Sequence, residues 1–392
     1  MYKLNHNIYI VKGAVNACIY DLNKADLYTI SLNFADFLLN ICMYEHLPET
    51  FIKRPSFQQL LQKAIIIKDG MKMSPLITAD VPVISNGTIE ITQKCNFRCI
   101  HCFEGGKICS DMDINNVKYV IDEFESIGIS NIHIFGGEPF MHPDICSILY
   151  YCKGKFPKIS ITTNASILNE RILDCLLAVR PEILASLHSD LEQEFDKVTG
   201  TTGMLGKVKT NIHVMQEKGL DCKIRKVKIN GIRSSEIYEN YWGDMSGFPI
   251  MLGNASISQY SCEMLEAKAI KKSQFSQKLN VSSVLNNMNY QKCFSKNVYV
   301  DVNLDVFPCT MERRKKHGNL MHNRLKSIIQ EDICRVTKDK IRGCRYCEYR
   351  YACDTCFVDT RSSDFYARPW YCLYNPETGV WQDVKEWSQK FQ

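Results

Sequence analysis

The sequence predicts an α/β protein organised around a parallel sheet, because strand and helix patterns alternate along its central segment. Between residues 88 and 252, short apolar runs typical of strands alternate with segments whose apolar residues recur at helical spacing. Such alternation indicates a parallel sheet, because each helix returns the chain to the start of the next strand. The flanking segments differ from this central one, since the C-terminal segment is rich in cysteine. We therefore expect three domains, over residues 1–80, 81–260 and 261–392.

Residues 1–80 are expected to form a small α+β unit. Three short strands are predicted at Asn7–Lys12, Val15–Asp21 and Leu27–Ile30. Two sets of apolar residues at helical spacing predict helices after these strands: Phe34, Phe37, Leu38 and Ile41, then Phe57, Leu60, Leu61 and Ala64. No residue of this unit has a catalytic pattern around it.

The central segment should contain six strands with helices between them. The predicted strands are Thr88–Thr92, Asn131–Phe135, Lys158–Thr162, Ile183–His188, Lys223–Lys228 and Phe248–Leu252. Ligands of open parallel sheets bind beyond the carboxyl ends of the strands. Functional residues are therefore expected directly after these strands.

Composition argues against several classes of protein. The 48 basic and 43 acidic residues leave a net charge of +5 without a long basic stripe, so we expect no nucleic-acid partner. The most apolar long segment, Leu27–Leu47, is interrupted by Asn33, Asp36 and Asn40, so we expect no membrane span. The N-terminus has no signal-peptide pattern. Nineteen cysteines in such a chain predict a reducing cytoplasm, where cysteines bind metal more often than they form disulfides.

Three cysteines, Cys95, Cys99 and Cys102, lie within eight residues just after the first central strand. Three thiolates on one loop can bind one metal centre, but a structural zinc or a closed four-iron cluster needs four, so one position is left open. The spacing CxxxCxxC matches the signature of the radical S-adenosylmethionine (radical SAM) family, and the sequence resembles that family. The resemblance implies a 4Fe-4S cluster on these thiolates, with SAM on the fourth iron. The alternatives are a zinc knuckle and three unrelated buried thiols.

A second motif closes the second central strand. Gly136, Gly137, Glu138 and Pro139 match the GGEP motif of the family, thirty-four residues after the cysteines. Paired glycines let a backbone approach a ligand that a Cβ would exclude, and the free carbonyls with Glu138 can receive the ammonium of SAM.

The ends of the next two strands carry further candidate cofactor contacts. Asn164 stands where the family often has a Thr-Asn-Gly run, with Ala165 in place of the glycine. The resemblance implies that Ser186 and His188 bind the ribose and carboxylate of SAM, although a lone histidine at a strand end is more often a structural hydrogen-bonding group. Thr199 stands where several relatives carry a SAM-binding arginine.

The C-terminal segment contains two CxxC pairs separated by five residues, and a further cysteine follows. Spaced pairs of this kind indicate metal binding, with a zinc ribbon as one reading. The array resembles the SPASM domain, which binds auxiliary 4Fe-4S clusters. The resemblance implies two such clusters, which would be held by Cys344, Cys347, Cys353 and Cys372 and by Cys293, Cys309 and Cys356.

The second of these ligand sets has only three cysteines. A hairpin is expected between Cys293 and Cys309, at residues 298–302 and 306–309, with Leu304 where relatives usually place a turn glycine. Cys262 and Cys334 are the nearest spare thiols that could supply a fourth ligand. Our hypothesis is that the cluster instead has an open iron, which could bind a substrate thiolate.

The layout as a whole resembles SPASM peptide maturases, most of all those encoded with ATP-grasp peptide ligases. The implied fold is a partial (β/α)6 TIM-like barrel with a winged-helix-like N-terminal domain and a C-terminal iron-sulfur domain. The N-terminal domain would bind a leader peptide as an added strand, or would act as a structural cap. The one basic cluster, Arg313–His317, is either a solvated loop or a docking place for an acidic peptide.

The activity implied is the reductive cleavage of SAM to a 5'-deoxyadenosyl radical and the modification of a ribosomally made precursor peptide, by a thioether or another cross-link. The implied partners are that peptide, a flavodoxin- or ferredoxin-type electron donor and an ATP-grasp ligase acting on the same peptide. One alternative is an anaerobic sulfatase-maturating enzyme, although Phe135 precedes the GGEP motif where those relatives usually carry glutamine. A zinc-ribbon binding module without catalysis is the alternative of another class. No side chain is identified as a general acid or base.

Overall fold

The structure is a computed structural model that describes residues 1–78, 82–102, 110–227, 229, 231–235, 261–356 and 362–391. The chain folds into two compact units. The first unit combines Met1–Val81, Leu265–Lys292 and Arg335–Gln392, and the second combines Pro82–Met264 with Cys293–Cys334. The first unit thus joins the two ends of the chain, and the expected division into three domains stays a prediction.

The strands and helices are numbered along the chain. The strands are β1 Tyr2–Leu4, β2 Ile8–Lys12, β3 Asn16–Asp21, β4 Asp26–Ser31, β5 Ile66–Lys68, β6 Asn86–Thr92, β7 Asn131–Gly136, β8 Lys158–Thr163, β9 Glu182–Ser186, β10 Cys222–Arg225, β11 Asn297–Val300, β12 Asp305–Phe307, β13 Gly318–Asn319, β14 Tyr374–Asn375 and β15 Val380–Trp381. The α-helices are α1 Leu32–Leu39, α2 Glu49–Ile52, α3 Pro55–Gln62, α4 Ile114–Ser126, α5 Ile145–Cys152, α6 Glu170–Val179, α7 Glu192–Thr199, α8 Leu205–Glu217, α9 Cys262–Lys268, α10 Val281–Asn289, α11 Leu325–Ile328, α12 Glu331–Cys334 and α13 Val384–Gln389. In the described part of the chain, no helix combines the length and the hydropathy that crossing a bilayer requires.

The second unit is built on one sheet of eight strands in the order β10-β9-β8-β7-β6-β11-β12-β13. Strands β6 to β10 are parallel, and β11 pairs in parallel with β6. Five of the six predicted central strands are therefore confirmed, and the sixth, Phe248–Leu252, lies outside the described residues. The helices pack their apolar stripes on alternate strand residues, so that Ile89 and Ile91 of β6 are fully buried with Val117 and Phe124 of α4.

The expected hairpin between Cys293 and Cys309 forms as β11 and β12, which pair antiparallel. Its turn contains Leu304 at a φ of 64°. This is the left-handed conformation that glycine adopts most easily, so the turn keeps that backbone shape with a leucine. The Leu304 side chain is buried in the core of the second unit, and this burial offsets the strain of its backbone.

The N-terminal part of the first unit contains the antiparallel sheet β2-β3-β4 and a separate pair, β1 with β5. The three predicted strands and the helices after them are confirmed. Helix α3 begins with Pro55 at its first position and ends before Ala64, which has a φ of 55°. Ile19 of β3 packs against these helices, together with Leu38 and Phe57.

The other face of β3 packs on the cysteine-rich C-terminal segment. Cys18 and Tyr20 alternate with Ile19 along the strand and are fully buried with Tyr349 and Tyr374. The Tyr20 hydroxyl donates to the Glu348 carbonyl at 2.8 Å. The N-terminal sheet therefore belongs to the same core as the cysteine pairs, and β3 is buried on both faces.

Candidate iron-sulfur and cofactor site

The three cysteines of the CxxxCxxC motif lie on one loop, which starts directly after β6. Cys95 and Cys102 are exposed, and Cys99 is half-buried. Burial raises the pKa of Cys99 to about 12, with smaller contributions in the same direction from the nearby Cys95 and Cys102 thiols. The three thiols are thus close enough to interact. Because metal ligation requires the thiolates, a bound metal would have to displace their protons.

The GGEP motif holds this loop from the neighbouring strand. The Gly137 amide donates to the Thr92 carbonyl at 2.8 Å, and the Glu138 amide donates to the Lys94 carbonyl at 2.7 Å. A Cβ at Gly136 would lie 2.3 Å from the Thr92 carbonyl oxygen, and one at Gly137 would lie 2.3 Å from that of Lys94. Only glycine therefore fits at either position. In this structure the close backbone approach is to the cysteine loop itself.

The Glu138 side chain is fully buried and bonded within the protein. Its carboxylate accepts from the Thr163 hydroxyl at 2.7 Å, the Asn164 amide at 2.6 Å and the Phe140 amide at 3.0 Å. Burial raises the pKa of Glu138 to about 7, although the three hydrogen bonds favour the ionised form. Its side chain thus connects the ends of β7 and β8, and its contact with the ammonium of SAM stays a prediction. Pro139 begins the short 3-10 turn that follows.

Asn164 lies beside the cysteine loop, as a residue at the end of β8 should. Its side-chain amide nitrogen donates to the side-chain oxygen Oδ1 of Asn96 at 2.9 Å and lies 3.9 Å from the Cys95 sulfur. Ala165, which stands at the glycine position of the family run, has a φ of 55°. As at Leu304, the backbone keeps a left-handed conformation although the residue is not glycine.

A contact that the sequence did not reveal fixes the other side of the loop. The amides of Arg98 and Ile100 donate to the carbonyls of Thr199 and Val198, at 2.8 and 2.9 Å. These carbonyls belong to the last turn of α7, where a helix leaves acceptors without partners of its own. Gly200 follows with a φ of 62°, and this helix-ending glycine was the only sequence signal for the contact. The backbone carbonyl of Thr199 thus binds the loop, while its hydroxyl donates to the backbone carbonyl of Phe195.

Two histidines that are far apart in the sequence meet next to the cysteines. The rings of His101 and His188 have centroids 4.3 Å apart at an interplanar angle of 75°. Burial lowers the pKa of His101 to about 4, and burial also lowers the pKa of His188 well below its usual value, so both rings are neutral near pH 7. His188 also accepts from the Val227 amide at 3.2 Å. Ser186, at the end of β9, is half-buried and pairs in register with Arg225. SAM contacts by Ser186 and His188 stay predictions.

Four of the C-terminal cysteines line one cavity in the first unit, and these are Cys344, Cys347, Cys353 and Cys372. Burial raises the pKa of Cys344 to about 12, and its neighbour Cys353 contributes to this rise. In the described part of the chain, no three His, Cys, Asp or Glu side chains are arranged to hold a single metal ion. A four-iron cluster does not require such convergence, because each thiolate binds a different iron. The binding of an auxiliary cluster by the four cysteines, with a zinc ribbon as the alternative, stays a prediction.

The remaining predicted ligands are divided between the two units. Cys356 belongs to the first unit, whereas Cys293 and Cys309 belong to the second, together with Cys262 and Cys334. Burial raises the pKa of Cys309, and its sulfur accepts from the Met311 amide at 3.5 Å. The assignment of Cys293, Cys309 and Cys356 to one cluster stays a prediction.

The basic cluster Arg313–His317 is bonded within the second unit. Lys315 pairs with Asp332 at 2.9 Å and Lys316 with Asp305 at 2.8 Å. Arg314 pairs with the buried Glu312, and the Arg313 guanidinium lies 4.1 Å from the centre of the Tyr299 ring. These four cations thus have partners within the second unit, and both interpretations of the cluster, a solvated loop and a docking place for an acidic peptide, stay predictions.

Part of the chain is similar in sequence to a known family and to curated proteins. Residues 89–240 match the radical SAM superfamily. The chain is 26% identical over 149 residues to the antilisterial bacteriocin subtilosin biosynthesis protein AlbA of Bacillus subtilis, which covers 37% of this chain and 33% of AlbA. It is 30% identical over 199 residues to a probable GTP 3',8-cyclase of Methanosarcina acetivorans, which covers 47% of this chain and 59% of that protein. The chain thus matches one third to three fifths of the length of these relatives.

Solved structures resemble a larger part of the chain. SuiB of Streptococcus suis bound to S-adenosylmethionine has a TM-score of 0.54 at 15% identity, covering 94% of this chain and 99% of SuiB. The structure named anSMEcpe with bound AdoMet has a TM-score of 0.52 at 12% identity, covering 78% of this chain and 91% of that one. At such identity the likeness establishes a shared fold.

Proposed function

We propose that this radical SAM enzyme modifies a ribosomally made precursor peptide and forms a thioether or another cross-link in it. The observation that carries the proposal is the cysteine loop at the carboxyl edge of the parallel sheet. The loop is fixed by the GGEP backbone on one side and by the end of α7 on the other. The fourth corner of the centre that it would hold is left without a protein thiolate on the loop.

Cys95, Cys99 and Cys102 would hold the 4Fe-4S cluster, and SAM would complete it. When bound, these two groups would supply the one-electron chemistry by which a hydrogen atom is removed from the substrate. The chain itself positions the loop. Asn164 contacts Cys95 and Asn96, and the buried Glu138 ties the ends of β7 and β8 together. Fixed geometry of this kind keeps a reactive radical close to one substrate position.

A peptide substrate is supported by the relatives and by the N-terminal sheet. AlbA is named for bacteriocin biosynthesis, and a SuiB structure with a TM-score of 0.53 contains the precursor peptide SuiA. In the described sheet β2-β3-β4 of this chain, β2 and β4 are the edge strands. An extended leader peptide could pair with such an edge through backbone hydrogen bonds.

The auxiliary cysteines support cross-linking chemistry in this proposal. Cys344, Cys347, Cys353 and Cys372 would hold one complete cluster, and Cys293, Cys309 and Cys356 would leave an open iron for a substrate thiolate.

Electrons would come from a flavodoxin- or ferredoxin-type donor, and an ATP-grasp ligase would act on the same peptide. The iron content of Cys262→Ala and Cys334→Ala tests the open iron. If either cysteine were the fourth ligand, its replacement would lower the iron content. If the iron is open, both variants should keep the wild-type iron content.

The test uses anaerobically reconstituted protein with SAM, a reductant and short cysteine-containing peptides encoded beside its gene. We expect 5'-deoxyadenosine and a peptide that has lost two hydrogens. Cys95→Ala should abolish both products, because two thiolates cannot hold the cluster, whereas Cys42→Ala, at an exposed cysteine outside the motif, should change neither. Product formation by Cys95→Ala, or a wild type that makes no 5'-deoxyadenosine, would contradict the proposal.

Formylglycine formation is the second candidate, since anSMEcpe with bound AdoMet and a Cp18Cys peptide has a TM-score of 0.51 to this chain. The two products differ in sulfur content. A thioether keeps the cysteine sulfur, whereas oxidation of cysteine to formylglycine loses it. Mass spectrometry of the same reaction therefore separates the two candidates. Zinc without acid-labile sulfide in the purified protein would instead indicate the zinc-ribbon alternative.

A further inference from the structure

The cavity that the four C-terminal cysteines share is also lined by two cations, Lys338 and Arg368. Lys338 is 5% exposed, and its ammonium donates to the carbonyl of Cys353. The Arg368 guanidinium is half-buried and donates to the carbonyls of Cys372, at 3.3 Å, and Tyr374. Each cation thus binds the backbone of a residue whose thiol faces the same cavity.

The charges around the cavity are of one sign. Among the described residues that line it, the charged side chains are Lys338, Arg350 and Arg368, all of which are cations. Arg350 also pairs with Asp339 at 2.7 Å. Cations that line a cavity favour a negatively charged group inside it, because opposite charges attract. Cysteine thiolates and the iron-sulfur group that they would hold are anionic.

Lys338 and Arg368 line the same cavity as the four cysteines, so negative charge placed in the cavity would be stabilised by both cations. Their influence should increase as the occupant gains an electron.

We propose that Lys338 and Arg368 raise the reduction potential of the cluster held by Cys344, Cys347, Cys353 and Cys372, and so make it a better electron acceptor. The proposal rests on the cluster assignment of the proposed function. When a substrate carbon radical forms a carbon–sulfur bond with a thiol, one proton and one electron must leave. The two cations would stabilise that electron on the cluster, with no bond to the protein made or broken. Lys338 and Arg368 would thus act on the cluster through their charge and would not take part in any bond change.

The experiment is a redox titration of the full-length, anaerobically reconstituted protein, followed by EPR spectroscopy. Cys95, Cys99 and Cys102 are replaced by alanine throughout, so that the SAM-binding cluster does not contribute. The charge-removing variants are Lys338→Met and Arg368→Met. Two controls keep the charge pattern of the cavity: Lys338→Arg retains the cation, and Lys340→Met removes an exposed lysine two residues away. Iron and acid-labile sulfide are measured in every sample.

Each charge-removing variant should accept an electron at least tenfold less favourably, which is about 59 mV lower in potential for one electron. Lys338→Arg and Lys340→Met should keep the wild-type potential. The proposal is overturned if either charge-removing variant keeps both its cluster and the wild-type potential. It is also overturned if both variants lose the cluster, because the two side chains would then be structural. The measurement uses no peptide, so a failure of the peptide chemistry would not be confused with a failure of this proposal.

Discussion

At the scale of single residues, the cysteine loop depends on positions that have no room for a side chain. A Cβ at Gly136 or Gly137 would clash at 2.3 Å with a backbone carbonyl oxygen, that of Thr92 at the end of β6 or that of Lys94 in the loop. A backbone cannot move away as a flexible side chain can. Glu138, next to them, carries a carboxyl group into a fully buried position. Gly136 and Gly137 therefore fix the position of the loop, and Glu138 makes the stability of the protein depend on pH.

Replacing Gly137 by alanine should displace the loop. A Cβ 2.3 Å from the Lys94 carbonyl oxygen forces the strand end and the loop apart, at a cost of about 1–3 kcal/mol in stability. We expect Gly137→Ala to lose most of the iron bound by Cys95, Cys99 and Cys102. Gly206→Ala is the matched control, because nothing lies within 4 Å of its Cβ position in α8. Full iron content in Gly137→Ala would show that the loop tolerates the shift.

Glu138 should make the stability of the metal-free protein depend on pH. Burial raises its pKa from 4.5 to about 7, so between these values the folded protein keeps a proton that the unfolded chain releases. The contribution of Glu138 is therefore fully present below about pH 4.5 and is lost as the pH rises to about 7. Relative to Glu138→Gln, which cannot ionise, the wild type should lose up to about 3 kcal/mol over this range. Urea unfolding at pH 5 and pH 8 measures this change, and a wild type that gains stability relative to Glu138→Gln as the pH rises would refute the assignment.

At the scale of elements, β3 is the strand on which the first unit depends. Its alternate residues are buried on both faces, towards the N-terminal helices through Ile19 and towards the cysteine-rich segment through Cys18 and Tyr20. A strand covered on both sides reads as a continuous apolar run. The sequence of β3, Asn-Ala-Cys-Ile-Tyr-Asp, shows that run but does not identify what covers its second face.

The Tyr20 hydroxyl should contribute to the stability of the auxiliary cysteine site. Tyr20→Phe removes the donor to the buried Glu348 carbonyl, next to Cys347, and should cost about 1–3 kcal/mol. We expect a lower unfolding midpoint and faster loss of iron from the C-terminal cysteines during chelation. Tyr9→Phe, on the adjacent strand β2, is the control and should behave as wild type. An unchanged rate of iron loss in Tyr20→Phe would show that the hydrogen bond from the N-terminal sheet does not stabilise the cysteine site.

At the scale of the whole molecule, the two units use the chain differently. The second unit is built mainly from one continuous segment, with the β11–β12 hairpin added beside β6. The first unit joins residues that are more than three hundred positions apart, such as Tyr20 and Glu348. Interactions between nearby residues can be inferred from local patterns, whereas interactions over such separations depend on how the entire chain folds.

Much of the site was predictable from the sequence because its parts are local. The cysteine spacing, the GGEP run and Asn164 each follow a strand, and the parallel sheet brings the ends of its strands to one edge. Local patterns do not show which side chains form hydrogen bonds or ion pairs with one another. The use of the Glu138 carboxylate by Thr163 and Asn164, and the pairing of Arg314 to Lys316 with acids of their own unit, needed the structure.

The sequence by itself determined the parallel α/β core, the cysteine loop after β6 and the spaced pairs at the C-terminus. Periodicity and ligand spacing are properties of short segments, so they survive without knowledge of the fold. Only the tertiary structure decided that α7 fixes the cysteine loop, that His101 meets His188 and that β3 packs on the C-terminal cysteines. These interactions join segments distant in the chain, and their existence depends on burial and backbone geometry that no single segment encodes.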